Sequence, residues 1–175
     1  MMIRRFAPLV LGTAALGLLL GLTLPLMAAD TAPKSLGKFG EWEAFAKTGP
    51  DGKVCYAASL PKQSKNAPKT RERAYTLVSN RPSDKSHNVI GITAGFALKK
   101  GASALLQVSG NRFDLYTVDQ TAWSRDDKAV VAALTKAKTA TFVGYPAKGE
   151  PVADVYGLEG FGDAKAAIDK ACGGK

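Results

Sequence analysis

The sequence predicts a mainly β chain, an antiparallel β-sandwich with two short peripheral α-helices. Three observations predict it. Short stretches with apolar residues at every second position follow one another along the chain. Between them stand turn-forming clusters such as Gly49-Pro50-Asp51-Gly52 and Arg81-Pro82-Ser83-Asp84. Only two segments, both late in the chain, repeat with a helical period. A parallel sheet needs a long crossover, usually a helix, between successive strands, and that alternation is missing.

The first 29 residues read as a secretory signal peptide. Arg4 and Arg5 form a positive start, residues 6–27 carry no charge, and Ala28 and Ala29 supply the small residues at a cleavage site before Asp30. A retained membrane anchor is the rival reading, because the apolar run is long enough to span. Pro8, Pro25 and the closing small residues favour cleavage. The chain has 175 residues and a formal charge of +9; losing 29 residues with two arginines and no acid leaves 146 residues at +7. No second long apolar run follows, so the processed chain is expected in the periplasm or beyond, without a transmembrane segment. At that size one core suffices.

Residues 30–38 are polar and read as a flexible lead-in, with the domain starting at Phe39 and running to residue 175. Polar and apolar residues alternate over 41–44, and Val54 to Leu60 alternates again beyond the Gly-Pro-Asp-Gly turn, which predicts an opening hairpin. Residues 61–73 break the pattern. They hold two prolines, few apolar side chains and five cations against one acid, and read as an exposed, mobile loop. Strands are expected over 74–80 and 89–96, the second well buried. The runs 104–108 and 112–118 flank Gly110-Asn111 and read as a tight hairpin. Residues 119–123 read as a connection. A helix is expected over 124–138, capped by Ser124 with Asp127 three residues on. Two further strands, 139–145 and 152–158, precede a last helix from about Asp163 to Cys172, which Gly173-Gly174 ends.

Cys55 and Cys172 both lie in the processed part. An even count in an oxidising compartment favours one disulfide, with two buried free thiols as the alternative. Neither cysteine belongs to a C-x-x-C pair, which argues against redox chemistry or haem attachment.

No catalytic residue, metal ligand or cofactor site emerges. His87 is the one histidine, and it sits in a Ser-His-Asn stretch with no G-x-S-x-G elsewhere. The glycines at 157, 160 and 162 have the wrong spacing for a phosphate loop and suit a tight strand-to-helix turn. Asp126 and Asp127 read as charges at a helix start; Asp114, Asp119 and Asp154 would need tertiary structure to bring them together. Trp42 and Trp123 read as packing residues rather than a sugar-stacking platform. One feature has functional pull. Lys62, Lys65, Lys69, Arg71 and Arg73 could attract an anionic envelope component such as lipopolysaccharide, phospholipid headgroups, or an acidic protein. Nucleic acid is a poor partner, because the loop has no aromatic residues among its cations.

Several segments in order resemble one family: Phe39-Gly40-Glu41-Trp42; Val54-Cys55-Tyr56-Ala57-Ala58-Ser59; Ala94-Gly95-Phe96; Phe113-Asp114-Leu115-Tyr116; Ala122-Trp123; and Asp154-Val155-Tyr156-Gly157-Leu158-Glu159-Gly160-Phe161 leading to Ala166-Ala167-Ile168-Asp169-Lys170-Ala171-Cys172. This is similar to the invasion-associated locus B proteins of Gram-negative bacteria. The resemblance implies a periplasmic or envelope protein, tied in some members to host-cell invasion, with no catalytic residues to carry over. Gly160-Phe161-Gly162-Asp163 stands where relatives often have a capping hydroxyl residue. The expected function is therefore a non-enzymatic exported binding or host-interaction factor. An envelope housekeeping or inhibitor protein is the alternative, and a carboxylate-based hydrolase a third.

Overall fold

The structure, a computed structural model, describes residues 32–173. The signal-peptide reading and its cleavage site lie outside the described residues. Among those residues no helix is long and apolar enough to cross a membrane.

Among the described residues, eleven antiparallel strands form one continuously hydrogen-bonded sheet. They are β1 (Lys34–Phe39), β2 (Trp42–Gly49), β3 (Gly52–Ser59), β4 (Gln63–Lys65), β5 (Tyr75–Arg81), β6 (Ser86–Thr93), β7 (Ala104–Val108), β8 (Asn111–Val118), β9 (Thr121–Trp123), β10 (Thr139–Gly144) and β11 (Val152–Gly157). Helix α1 (Asp127–Lys136) lies between β9 and β10, and α2 (Phe161–Cys172) closes the chain. The spatial order is β1-β2-β3-β5-β6-β9-β8-β7-β10-β11-β4. β8 pairs with β9 on one side and β7 on the other, so it joins the two layers of the sandwich.

One core fills the space between the layers. Ala44, Cys55, Ala57, Val78, Ile90 and Ile92 from the first layer meet Leu106, Val108, Ala140, Phe142 and Tyr156 from the second. Period-two patterning drives this, since each strand buries alternate residues; β5 buries Thr76, Val78 and Asn80 while Tyr75, Leu77 and Ser79 look the other way. Trp42 ties the layers together. It is buried, its Nε1 donates to the Gly157 carbonyl at 3.0 Å, and its ring meets Phe161 edge-on at 4.9 Å.

Helix α2 packs on β1, β2, β3 and β5 through Phe161, Ala164, Ile168 and Cys172. Cys172 is bonded to Cys55 of β3, with the Cα atoms 5.9 Å apart. Asn80, fully buried, donates to Asp169 at 2.7 Å and accepts from the Asn88 backbone at 2.7 Å.

Five expectations change. Residues 34–38 are strand rather than flexible lead-in, because β1 pairs with β2 and its Leu36 packs against the core. Residues 121–123 are strand β9 rather than a connection, bonded on both sides by β6 and β8. The first helix starts at Asp127, not Ser124. Asp126 is the N-cap and accepts from the Ala129 backbone at 3.0 Å, while the Ser124 hydroxyl accepts from the Asp126 backbone at 3.0 Å. The last helix begins two residues earlier, at Phe161, entered through Gly160 at φ 82°; a Cβ there would stand 2.0 Å from the Phe39 carbonyl oxygen. The fifth change concerns the basic loop.

Candidate functional site

Residues 61–73 are anchored rather than free. Within them β4 pairs with β11 at the sheet edge, and Lys62 N donates to the Val155 carbonyl at 2.8 Å. The main anchor is Arg71. Its guanidinium makes a two-pronged ion pair with Asp154, through 2.9 Å to Oδ1 and a second contact to Oδ2. Its Nε donates to the Ala94 carbonyl at 2.6 Å, and Nη1, the nitrogen on Asp154 Oδ1, also reaches Ser64 Oγ at 3.1 Å. Ser64 in turn donates to Asp154 at 2.6 Å. Asp154 is fully buried and the Arg71 side chain is 10% exposed, so Arg71 belongs to the interior and is unavailable to a partner. The hydrogen bonds to Asp154 hold the Arg71 pKa above its ordinary value, and burial opposes them. Close by in sequence, the Tyr156 hydroxyl is buried with no hydrogen-bond partner, and burial pushes its pKa well above that of a free phenol.

The other loop cations divide. Lys62 is paired with Glu41 at 2.8 Å on an exposed rim. Lys65 on β4, Lys69 and Arg73 are exposed. Hence the five cations do not form one anionic-partner patch; Lys62 and Arg73 border a different feature, which the sequence reading missed.

That feature is a concavity of about 860 Å³ on the solvent face of the first layer. Its floor is the face of β2, β3 and β5 opposite the core: Phe45, Val54, Tyr56, Ala58, Tyr75 and Leu77, extended by Trp123 of β9. Phe45 and Tyr56 are directly paired across β2 and β3 and stack with ring centroids 5.3 Å apart. Trp123 lies opposite Gly91 of β6, and a Cβ at Gly91 would meet its ring at 2.8 Å. The missing side chain thus seats the indole on the sheet. Trp123 is half-buried, whereas Trp42 is interior. Lys38, Lys62, Arg73 and Arg81 ring this floor with Glu41 and Glu43, four cations against two carboxylates. Partial burial raises the Tyr56 pKa above its ordinary value.

The acids that a hydrolytic reading would use are engaged elsewhere. Asp126 caps α1, Asp127 accepts from the Ile90 backbone at 3.0 Å, and Asp154 holds Arg71. Asp114 and Asp119 are exposed while Asp154 is interior, so the three do not converge. His87 lies on β6, half-buried, with Nδ1 unpartnered. Among the described residues no cluster of three His, Cys, Asp or Glu side chains is placed to hold a metal.

The chain matches the family model described as "Invasion associated locus B (IalB) protein" over residues 42–169. Among solved structures it is similar to the crystal structure of invasion associated protein B from Bartonella henselae, with a TM-score of 0.53 and 19% identity over 81% of this chain and 98% of that one. At that identity the likeness speaks for the shared fold. No curated protein sequence matches.

Proposed function

Because the chain belongs to the invasion associated locus B family, we propose that it is an exported, non-enzymatic binding protein of the bacterial envelope, and that the concave aromatic face of β2, β3, β5 and β9 is its binding surface. The face carries the reading. Soluble proteins normally turn polar residues outward from a sandwich layer. Here Phe45, Tyr56, Tyr75, Leu77 and Trp123 occupy outward positions together, on strands whose opposite face already packs the core and α2. Cross-strand stacking and the seat on Gly91 account for part of their packing, and what supports recognition is that the same rings line an open, charge-rimmed concavity of the size that ligand sites take. The cationic excess of the rim gives that surface a preference for acidic ligands. The signal-like first 29 residues of the sequence support export, and an internal disulfide is compatible with it.

The test is site-specific photo-cross-linking in intact cells, with the photoreactive residue at Tyr75 on the face or at Lys128 on α1. A discrete adduct from position 75 and none from position 128 is the expected outcome. Adducts in equal yield from both, or none from position 75, would overturn the assignment of the surface.

A further inference from the structure

Resting on that assignment, we infer that the ligand of the concave face is an acidic oligosaccharide, its sugar rings lying on the aromatic floor and its acid groups meeting Arg73 and Arg81. Four observations lead there. First, the strands under the floor are saturated: β2 bonds to β1 and β3, β3 to β2 and β5, β5 to β3 and β6. An extended peptide can add to a sheet only at a free edge, so main-chain pairing has no place on this face. Second, the space behind the floor is filled. The void between the layers lined by Trp42, Ile92 and Tyr156 among others is about 10 Å³. That is room for a single water at most, so an acyl chain could lie in the open concavity but could not be enclosed there between the layers.

Third, the floor combines half-buried aromatic rings with the hydroxyl-bearing side chains of Tyr56, Tyr75 and Ser79. A pyranose has the matching form, a rigid C–H face edged by hydroxyl groups, and Tyr and Trp serve such half-wet contacts because they are apolar in body and polar at the tip. Fourth, the charge of the rim is positive but diluted. Arg73 and Lys38 carry no ion pair among the described residues, whereas Glu41 and Glu43 share the lining. A strand with a phosphate at every step would meet those carboxylates; a glycan with spaced acid groups need not. The guanidinium fork of arginine suits such acid groups. Arg73 follows two residues after the buried Arg71 clamp, which holds this part of the backbone against β11 and the Ala94 carbonyl.

The experiment titrates purified processed protein with a hexasaccharide of alternating glucuronic acid and N-acetylglucosamine, the same hexasaccharide with its carboxyl groups reduced to alcohols, an oligothymidylate and an acidic aromatic peptide. Calorimetry reads binding, and fluorescence reads the half-exposed Trp123 against the interior Trp42. The acidic hexasaccharide should bind, weaken with salt, and exceed its reduced form by about tenfold for each charge-assisted contact of about 1.4 kcal/mol, hence by up to about a hundredfold for Arg73 and Arg81 together. Trp123→Ala and Tyr75→Ala should each weaken it about tenfold while the protein stays folded at the assay temperature, Trp123→Ala melting lower because its indole packs on Gly91, and Arg73→Ser should remove about tenfold of the advantage over the reduced form. Tighter binding of the oligothymidylate or the peptide, lost in Trp123→Ala, would overturn the glycan and leave the surface assignment standing. Equal binding of the two saccharides, or none by the acidic hexasaccharide, would also overturn the glycan. Hexasaccharide binding that Trp123→Ala and Tyr75→Ala leave intact would overturn both the glycan on this face and the surface itself.

Discussion

Arg71→Ser should unfold this protein far more easily than any other change in the basic loop. In the folded chain Asp154 has no exposed surface, and its carboxylate is held by Arg71 and by one hydroxyl, Ser64 Oγ at 2.6 Å. Removing the guanidinium takes away both prongs of the ion pair and the bond to the Ala94 carbonyl, and leaves a buried charge with a single donor. Breaking a buried pair from one side costs about 3–5 kcal/mol. For a chain of this length that lowers the melting temperature by about 6–20 °C. Lys65→Ser and Lys69→Ser act on exposed side chains and should cost under about 0.5 kcal/mol each. A five-fold serine variant of Lys62, Lys65, Lys69, Arg71 and Arg73 would therefore confound loss of charge with loss of fold; the four-fold variant that keeps Arg71 would not. Asp154→Asn placed in the Arg71→Ser background should recover part of the loss, since the uncompensated charge is then gone. Calorimetric melting of the three single variants and the double variant is the assay. An Arg71→Ser melting temperature within about 2 °C of Lys69→Ser would refute the reasoning, because a shift that small corresponds to a surface charge.

Three further outcomes are expected. Reduction, or Cys172→Ser, should expose α2 to hydrogen exchange before the sheet: the crosslink spans 117 positions, worth up to about 4–5 kcal/mol in the chain-entropy model, and a helix of 12 residues is marginal by itself. Uniform loss of protection across helix and strands would contradict this order. Gly160→Ala should destabilise by more than the ~1–2 kcal/mol of a left-handed residue alone, because its Cβ would also collide with the Phe39 carbonyl; denaturant titration reads it, and a cost below about 0.5 kcal/mol would place that turn differently. Burial pushes the Asp127 carboxyl above its ordinary 3.8, so the folded chain keeps a proton that the unfolded chain gives up. That contribution to stability is complete below pH 3.8 and is lost as pH rises through the folded value. Asp127→Asn removes it while its carbonyl still accepts from Ile90 N, so the variant should lose less stability than the parent between pH 3.8 and neutrality and match or exceed it at pH 7. Urea midpoints across that range that run parallel for the two proteins would contradict it.

Much of the fold is legible in short stretches of sequence. The β2–β3 hairpin follows from Gly49-Pro50-Asp51-Gly52, where Gly49 pairs with Gly52 around a two-residue turn. The β7–β8 hairpin follows from the glycine between its arms, although the turn itself is Ser109-Gly110, both at positive φ. Helix α2 follows from Ala164, Ile168 and Cys172 at helical spacing and from the glycine that ends it. Two cysteines admit a single intramolecular pairing. Each of these is decided by dihedral preference or by periodicity within about a dozen residues, which a sequence displays directly.

The aromatic face left a fainter trace. β3 reads Val-Cys-Tyr-Ala-Ala and β2 reads Trp-Glu-Ala-Phe-Ala, with apolar residues in both phases of the alternation. A strand that is apolar on both sides, in a layer with a single core, must show one side to something else. Which residues then share that side depends on register: Phe45 stands opposite Tyr56 only because Ala44 pairs with Ala57, and Trp123 reaches the face only because Gly91 pairs with it. The basic loop shows the same division more sharply. Composition marks residues 61–73 as charged and exposed, and for Lys65, Lys69 and Arg73 the structure agrees. Arg71 has the same composition around it and the opposite fate, because its partner lies 83 positions away on a strand whose inward face buries a carboxylate. The sequence by itself determined the two helices, the one available crosslink and most of the strands, since those depend on neighbours along the chain, whereas β1, β4 and β9 became strands through pairing that it did not display. Tertiary structure alone decided which charge went inside and which rings came together outside, because desolvation and contact are set by neighbours in space.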